Sequence, residues 1–152
     1  MALPTMLPIE KRQFHVSDGV TSGTARFKFA CFVKSFDSPE QRALITHKLR
    51  DCAAPATPPA DSHMPGSYSA TKTLVGVAVP SNAQYQAMKD AVRTGARMEF
   101  MDKIDLAAGS GGGADTFWGY VTSFNEGTPE EGAVTFTATV TIDGVPVWAD
   151  AA

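Results

Sequence analysis

Ala133-Val134-Thr135-Phe136-Thr137-Ala138-Thr139-Val140-Thr141-Ile142 is the stretch that decides the fold. Val134, Phe136, Ala138, Val140 and Ile142 fall on one side and Thr135, Thr137, Thr139 and Thr141 on the other, the period of two that a strand imposes on its side chains. The stretch reads as a strand with one dry face and one row of neutral hydroxyls. Upstream, Thr116 to Phe124 is a second strand-like run, separated from the first by the turn-rich Asn125-Glu126-Gly127-Thr128-Pro129-Glu130-Glu131-Gly132. The two runs are predicted to pair antiparallel. Asp143-Gly144 then reads as a turn toward a last apolar patch, Val145, Pro146, Val147 and Trp148.

Working back from this hairpin, Gly109-Ser110-Gly111-Gly112-Gly113 is a flexible tip preceded by a short strand through Met98, Phe100 and Ile104. Before it, Ser81 with Gln84 at N3 predicts a helix start, Tyr85, Met88 and Val92 recur at helical spacing, and Gly95 supplies the stop. Residues 68–79 are rich in β-branched residues and predict a strand that becomes buried toward Pro80. Residues 53–66 turn to Pro, Ala, Ser and Asp, and Pro55, Pro58, Pro59 and Pro65 each remove a backbone donor. They predict a long loop, over 52–67 in all. In residues 24–36, Phe27, Phe29, Cys31 and Val33 share one face of a predicted strand, and Arg26, Lys28 and Lys34 share the other with Ala30, Phe32 and Phe36. Between them the signals conflict: Ser38-Pro39-Glu40-Gln41 has the residues of a helix start, while Ala43, Ile45, His47 and Leu49 fit a strand. Residues 1–13, with Pro4, Pro8 and Glu10-Lys11-Arg12, show no sustained period and predict an extended arm.

The 152 residues suit one domain, 1–152, and 43% hydrophobic with 19% charged residues supplies a packed core. The formal net charge of −3 gives none of the basic excess that tight nucleic-acid binding needs. A mildly acidic wall repels phosphate and permits nucleic acid to slide past. Leu74 to Val79 is the longest apolar run and is too short to span a bilayer. No basic leader precedes it, so a soluble intracellular product without a membrane partner is expected.

Enzymatic chemistry finds little support. The glycine run with Ala114 satisfies G-x-G-x-x-A, yet Asp115-Thr116-Phe117-Trp118 begins a strand where a dinucleotide site needs a helix N-terminus. His15, His47 and His63 are dispersed, and Cys31 and Cys52 match neither zinc nor redox spacing, so both read as unpaired thiols. A Cys52 nucleophile with His47 or His63 would need the fold to bring them together; a loop thiol and surface imidazoles are the plainer assignment. Glu130 and Glu131 on a turn read as solvated charges. Trp118 and Tyr120 share a strand face that could stack on bases, but no basic residue stands beside them in the chain, which favours core or interface packing. No catalytic residue, cofactor or metal is predicted.

The order of these elements resembles the phage major tail tube protein family. The terminal hairpin carries the resemblance most specifically: Phe117-Trp118-Gly119-Tyr120-Val121-Thr122-Ser123-Phe124, a charged loop, and the Thr/Val strand closing in Asp143-Gly144-Val145-Pro146. Pro65-Gly66-Ser67-Tyr68 leading to Thr73-Leu74-Val75-Gly76 resembles its loop-to-strand signature, and the helix Asn82 to Thr94 followed by a strand keeps its order. Ala43-Leu44-Ile45-Thr46-His47 resembles a family strand ending in Thr-His, without the usual acidic residue. The resemblance spans about residues 24–148 and assigns 42–49 to a strand against the capping signal.

The resemblance implies a mainly β (α+β) fold, two packed antiparallel sheets in a sandwich or barrel-like arrangement with one flanking helix at about 82–94. It also implies hexameric rings stacked into a hollow conduit for DNA, with other tail proteins as partners and a virion tail as location. Closing copies into a ring would remove exposed strand edges. Thr135, Thr137, Thr139 and Thr141 are then expected to face the lumen, and Pro4, Pro8, Pro55, Pro58, His63 and Met64 to lie in contacts between rings. The ring protein of a contractile secretion machine, a tube-capping tail protein, and a small β-rich enzyme or ligand-binding domain are the alternatives.

Overall fold

The computed structural model describes residues 6–151. Eight strands and one α-helix follow in the order β1 (Arg12–Ser17), β2 (Phe27–Phe29), β3 (Val33–Asp37), β4 (Glu40–Leu49), β5 (Ala60–Val77), α1 (Ala83–Thr94), β6 (Arg97–Ile104), β7 (Gly113–Gly127) and β8 (Thr135–Asp150). The strands form one sheet in the order β2-β1-β6-β7-β8-β5-β3, with β4 paired to β5. The mainly β class with one flanking helix is therefore as the resemblance implies.

The two layers are halves of this one sheet, which curls over on itself. Phe14 of β1 and Phe36 of β3 lie near opposite ends of the strand order, yet their ring centroids are 5.6 Å apart. Inside the curl, Phe32, Tyr85, Phe124 and Phe136 form one aromatic cluster and Phe14, Phe100 and Phe117 another. Aromatic residues dominate because each buries a large apolar area and rings pack edge-to-face at these separations. Helix α1 covers one opening of the curl, with Tyr85, Met88 and Ala91 buried. Its cap is Asn82 and not Ser81: the Asn82 side chain accepts from the Gln84 and Tyr85 amides. Gly95, at φ 72°, ends it as expected.

The β7–β8 hairpin forms as predicted, with Tyr120 opposite Thr141 and Asn125 opposite Thr137. Both strands run longer than the sequence suggests. Asp143-Gly144 is not a turn: β8 continues to Asp150, and the register shifts between Thr116 opposite Val147 and Trp118 opposite Asp143. Gly144 at φ 89° takes up this irregularity, as glycine does in bulges. Gly113, assigned to a flexible tip, joins β7.

Three further expectations are corrected. The strand over 24–36 is broken by a turn after β2, so the buried parity inverts: Phe29 is 52% exposed and Phe32 only 1%. The Ala30 amide donates to the Phe14 carbonyl at 2.9 Å, and the chain crosses there from one half of the curl to the other. Residues 12 and 13 of the predicted arm belong to β1. The long loop shrinks to residues 50–59, because Ala60 to Ser67 extend β5 and Ala60 to Pro65 of them pair with β4. Pro65 is tolerated in this ladder where the register slips, with Arg42 opposite Tyr68 but Leu44 opposite Pro65. Residues 42–49 do lie in a strand, as the resemblance assigned.

Candidate functional site

The exposed face of β8 is the threonine row. Thr135, Thr137 and Thr141 are exposed and Thr139 half-buried, while Phe136, Ala138, Val140 and Ile142 are buried. Neighbouring strands extend the same chemistry. Thr71 and Thr73 of β5 stand opposite Thr141 and Thr139, and Ser123 and Asn125 of β7 stand opposite Thr139 and Thr137. Thr122 Oγ1 lies 3.3 Å from Thr141 Oγ1, linking the ladders. The result is a three-strand, uncharged patch of mostly hydrogen-bonding groups with the exposed Val75 among them, opposite Thr137, and at its border Arg97 is held by Asp143 at 3.0 Å. Arg26 and Glu99, farther out on that side, are also paired, at 2.7 Å. Such a surface hydrates well and has no fixed cation to hold a phosphate.

A second surface is an arm. Beyond Ala70, β5 leaves the body and pairs only with β4, and every residue of β4 is exposed. Strand pairing alone supports a two-stranded ribbon weakly. On one side of the ribbon Ile45 faces Met64 and Leu49 faces Ala60; on the other Leu44 faces Pro65, Thr46 faces His63, and Lys48 faces Asp61. Leu44, Ile45, Leu49 and Met64 are all among the exposed large hydrophobics. His63 Nδ1 and Thr46 Oγ1 are 3.0 Å apart.

A third feature is a groove of about 650 Å3 between β1 and β3, bordered by Leu7, Pro8, Ile9, Phe29 and Phe36. It lies along the seam where the curled sheet stays open.

Of the predicted contact residues, His63 and Met64 therefore sit on the arm, Pro55 and Pro58 in the loop at its tip, and Pro8 beside the seam. Pro4 lies outside the described residues. The fold does not gather the histidines into one site: His15 is on β1 in the body, His47 and His63 on the arm. Burial, then the nearby Lys103 charge, lowers the His15 pKa. Cys31, in the turn after β2, and Cys52, at the arm tip, are exposed free thiols. Among the described residues, no group of three or more His, Cys, Asp or Glu is placed to hold a metal ion. No helix there is long and apolar enough to cross a membrane.

Trp118 and Tyr120 are exposed, and the fold supplies the cation that the chain around them lacks: Arg97 of β6 lies 4.7 Å above the Trp118 ring. Its charge is already engaged by Asp143.

One cluster escaped the sequence reading. Lys72 and Asp102, each 5% exposed, meet inside the curl at 3.1 Å, and Arg12 joins Asp102 at 2.9 Å. The available signal was parity: Lys72 falls on the buried side of β5 with Ala70 and Leu74, and Asp102 on that of β6 with Phe100. Buried charges persist only when paired. Asp115, opposite Asp102 in the ladder, has its pKa raised by burial and then by the Asp102 charge.

No family model matches this chain, and no curated protein does. Solved structures do. The SPP1 tail tube is similar with a TM-score of 0.67 at 16% identity, covering 96% of this chain and 80% of that one. The tail of an empty GTA particle, refined helically with C6 symmetry, gives 0.69 at 12% identity over 94% of this chain and 97% of that one. The tube-terminating cap of the anti-feeding prophage gives 0.65 at 14% identity over 99% and 95%. The chain has the fold of tail tubes and injection-system tubes.

Proposed function

We propose that this protein is a structural, non-enzymatic subunit of a phage-type tail tube, assembling as stacked hexameric rings around a bore through which DNA passes. One observation carries the reading. The arm presents exposed apolar side chains on both sides, and among the described residues β4 pairs with β5 alone and is exposed along its whole length. A ribbon of this kind is stable and soluble when a second copy covers it. Open edges at β2 and β3 fit the same need, because joining copies edge to edge removes unpaired backbone groups.

In this reading the row Thr135, Thr137, Thr139 and Thr141 lines the bore with hydroxyls. The arm, with His63, Met64 and its tip prolines Pro55 and Pro58, reaches the neighbouring ring, and the stretch around Pro8 contributes at the seam. The tube would lie in a virion tail beside other tail proteins, after assembly in host cytoplasm. Likeness to the SPP1 tail tube and to a GTA tail with C6 symmetry supports it. The match to an anti-feeding prophage cap favours a second reading, a subunit that terminates a tube and does not extend it.

Size-exclusion chromatography with negative-stain microscopy separates the readings. Long rods with sixfold end views support the tube, and isolated rings support the cap. A protein that stays monomeric at high concentration overturns both.

A further inference from the structure

The arm is joined to the body at one narrow place, where the link Ser38-Pro39 and the step from Ala70 to Thr71 run side by side. There β5 stops pairing with β8, its last partner being Thr141 opposite Thr71, and pairs onward with β4 alone, from Glu40 opposite Ala70. One backbone bond crosses the link, from the Thr71 amide to the Pro39 carbonyl at 3.2 Å. Beside it a cleft of about 240 Å3 opens between the arm root and β8, bordered by Glu40, Ser69, Thr141 and Ile142. The arm has room to swing toward this cleft.

Ser38 stands at this junction. Its hydroxyl lies 2.8 Å from Lys72 Nζ and 3.0 Å from Arg12 Nη2. Both cations are in turn fixed by Asp102, Lys72 at 3.1 Å and Arg12 at 2.9 Å. A hydroxyl oxygen has two lone pairs, so one half-buried link residue accepts two charge-assisted hydrogen bonds, each roughly twice as strong as a neutral one. One donor comes from β1, the other from the body part of β5 where Lys72 stands opposite Val140 of β8, and their shared anion from β6, so the anchor is tied to strands outside the arm.

We infer that this cluster is a hinge lock: the buried Lys72–Asp102–Arg12 ion group grips Ser38 and sets the direction in which the β4–β5 arm leaves the body. Ser38 also heads a sequence with the residues of a helix start, which instead enters a strand held by its ladder with β5 from Glu40 onward. The hydroxyl that would cap a helix is occupied by two cations. The lock acts within a single subunit and holds whether or not copies assemble into tubes.

Spin labels test it in the full-length chain, one on native Cys31 in the body and one on the arm in a Lys48→Cys, Cys52→Ser background. Labelled protein is diluted into unlabelled protein so that only distances within one subunit are read by double electron–electron resonance. Ser38→Ala leaves every charge in place and removes only the acceptor. It is expected to give a distance distribution about twofold broader, as release of a hinge does, and Ser38→Thr, which keeps the hydroxyl, to restore the narrow one. Lys72→Met should broaden it likewise; if that variant fails to fold, Ser38→Ala decides alone. A Ser38→Ala distribution as narrow and as centred as that of the parent overturns the lock.

Discussion

The double exchange Ile45→Thr with Met64→Gln probes the arm where two apolar side chains face each other across the ladder. In the single subunit Ile45 is 45% exposed and Met64 49%. Complete burial of such a side chain is worth about 1.5–3 kcal/mol, so covering the exposed half on a neighbouring copy contributes roughly 1 kcal/mol each, about 2 kcal/mol for the pair. Losing that much raises the concentration needed for assembly by roughly 30-fold. The replacements keep the β-branch at 45 and the length at 64, so the ribbon itself persists. Pelleting assembled material over a concentration series gives the threshold, and circular dichroism of the dilute subunit gives its thermal midpoint. The threshold should rise while the midpoint stays put, because neither side chain belongs to the buried core. An unchanged threshold refutes docking through this face, and a lowered midpoint in the dilute subunit refutes its independence from the core.

Replacing Thr137 and Thr139 with lysine should leave tubes intact by microscopy and slow DNA passage, since fixed cations hold phosphates; normal delivery from such tubes would remove the threonine row from the bore. Gly76→Ala should destabilise the subunit by about 1–3 kcal/mol in urea unfolding, because a Cβ at Gly76 would collide with the Phe32 carbonyl oxygen and the Phe136 ring; an unshifted midpoint would contradict that close approach. Asp115 binds its proton more tightly folded than unfolded, so its ionisation costs stability as pH rises through the folded pKa, and the cost is complete above that pKa. Asp115→Asn should therefore raise the melting temperature at neutral pH and lose that advantage below the ordinary carboxyl value of 3.8; a variant that melts lower at neutral pH would reverse the sign.

Much of the fold was legible because its signals are periodic and local. Phe136, Ala138, Val140 and Ile142 are buried and the threonines between them face outward, as alternation alone requires. Tyr85 and Met88 are buried on α1 at the spacing that marked it. The errors fall where one residue reverses parity or where a partner lies far along the chain. The turn after β2 exchanged the buried face between Phe29 and Phe32. The prolines of 53–66 suggested a loop because a ladder with Pro65 in it works only at a register slip, and that slip depends on β4.

The candidate site divides the same way. A threonine face, a helix and a terminal hairpin follow from side-chain period, and the chain specifies them without help from distant residues. That the hairpin arm stands clear of the body, that Lys72 finds Asp102 three strands away in the sheet order, and that Ser38 spends its hydroxyl on two cations and not on a helix were decided by the curl of the sheet. Curling brings Lys72 and Asp102 together across 30 positions, and only that proximity makes a buried charge affordable; pairing with β5 is what turns the helix-starting sequence into a strand.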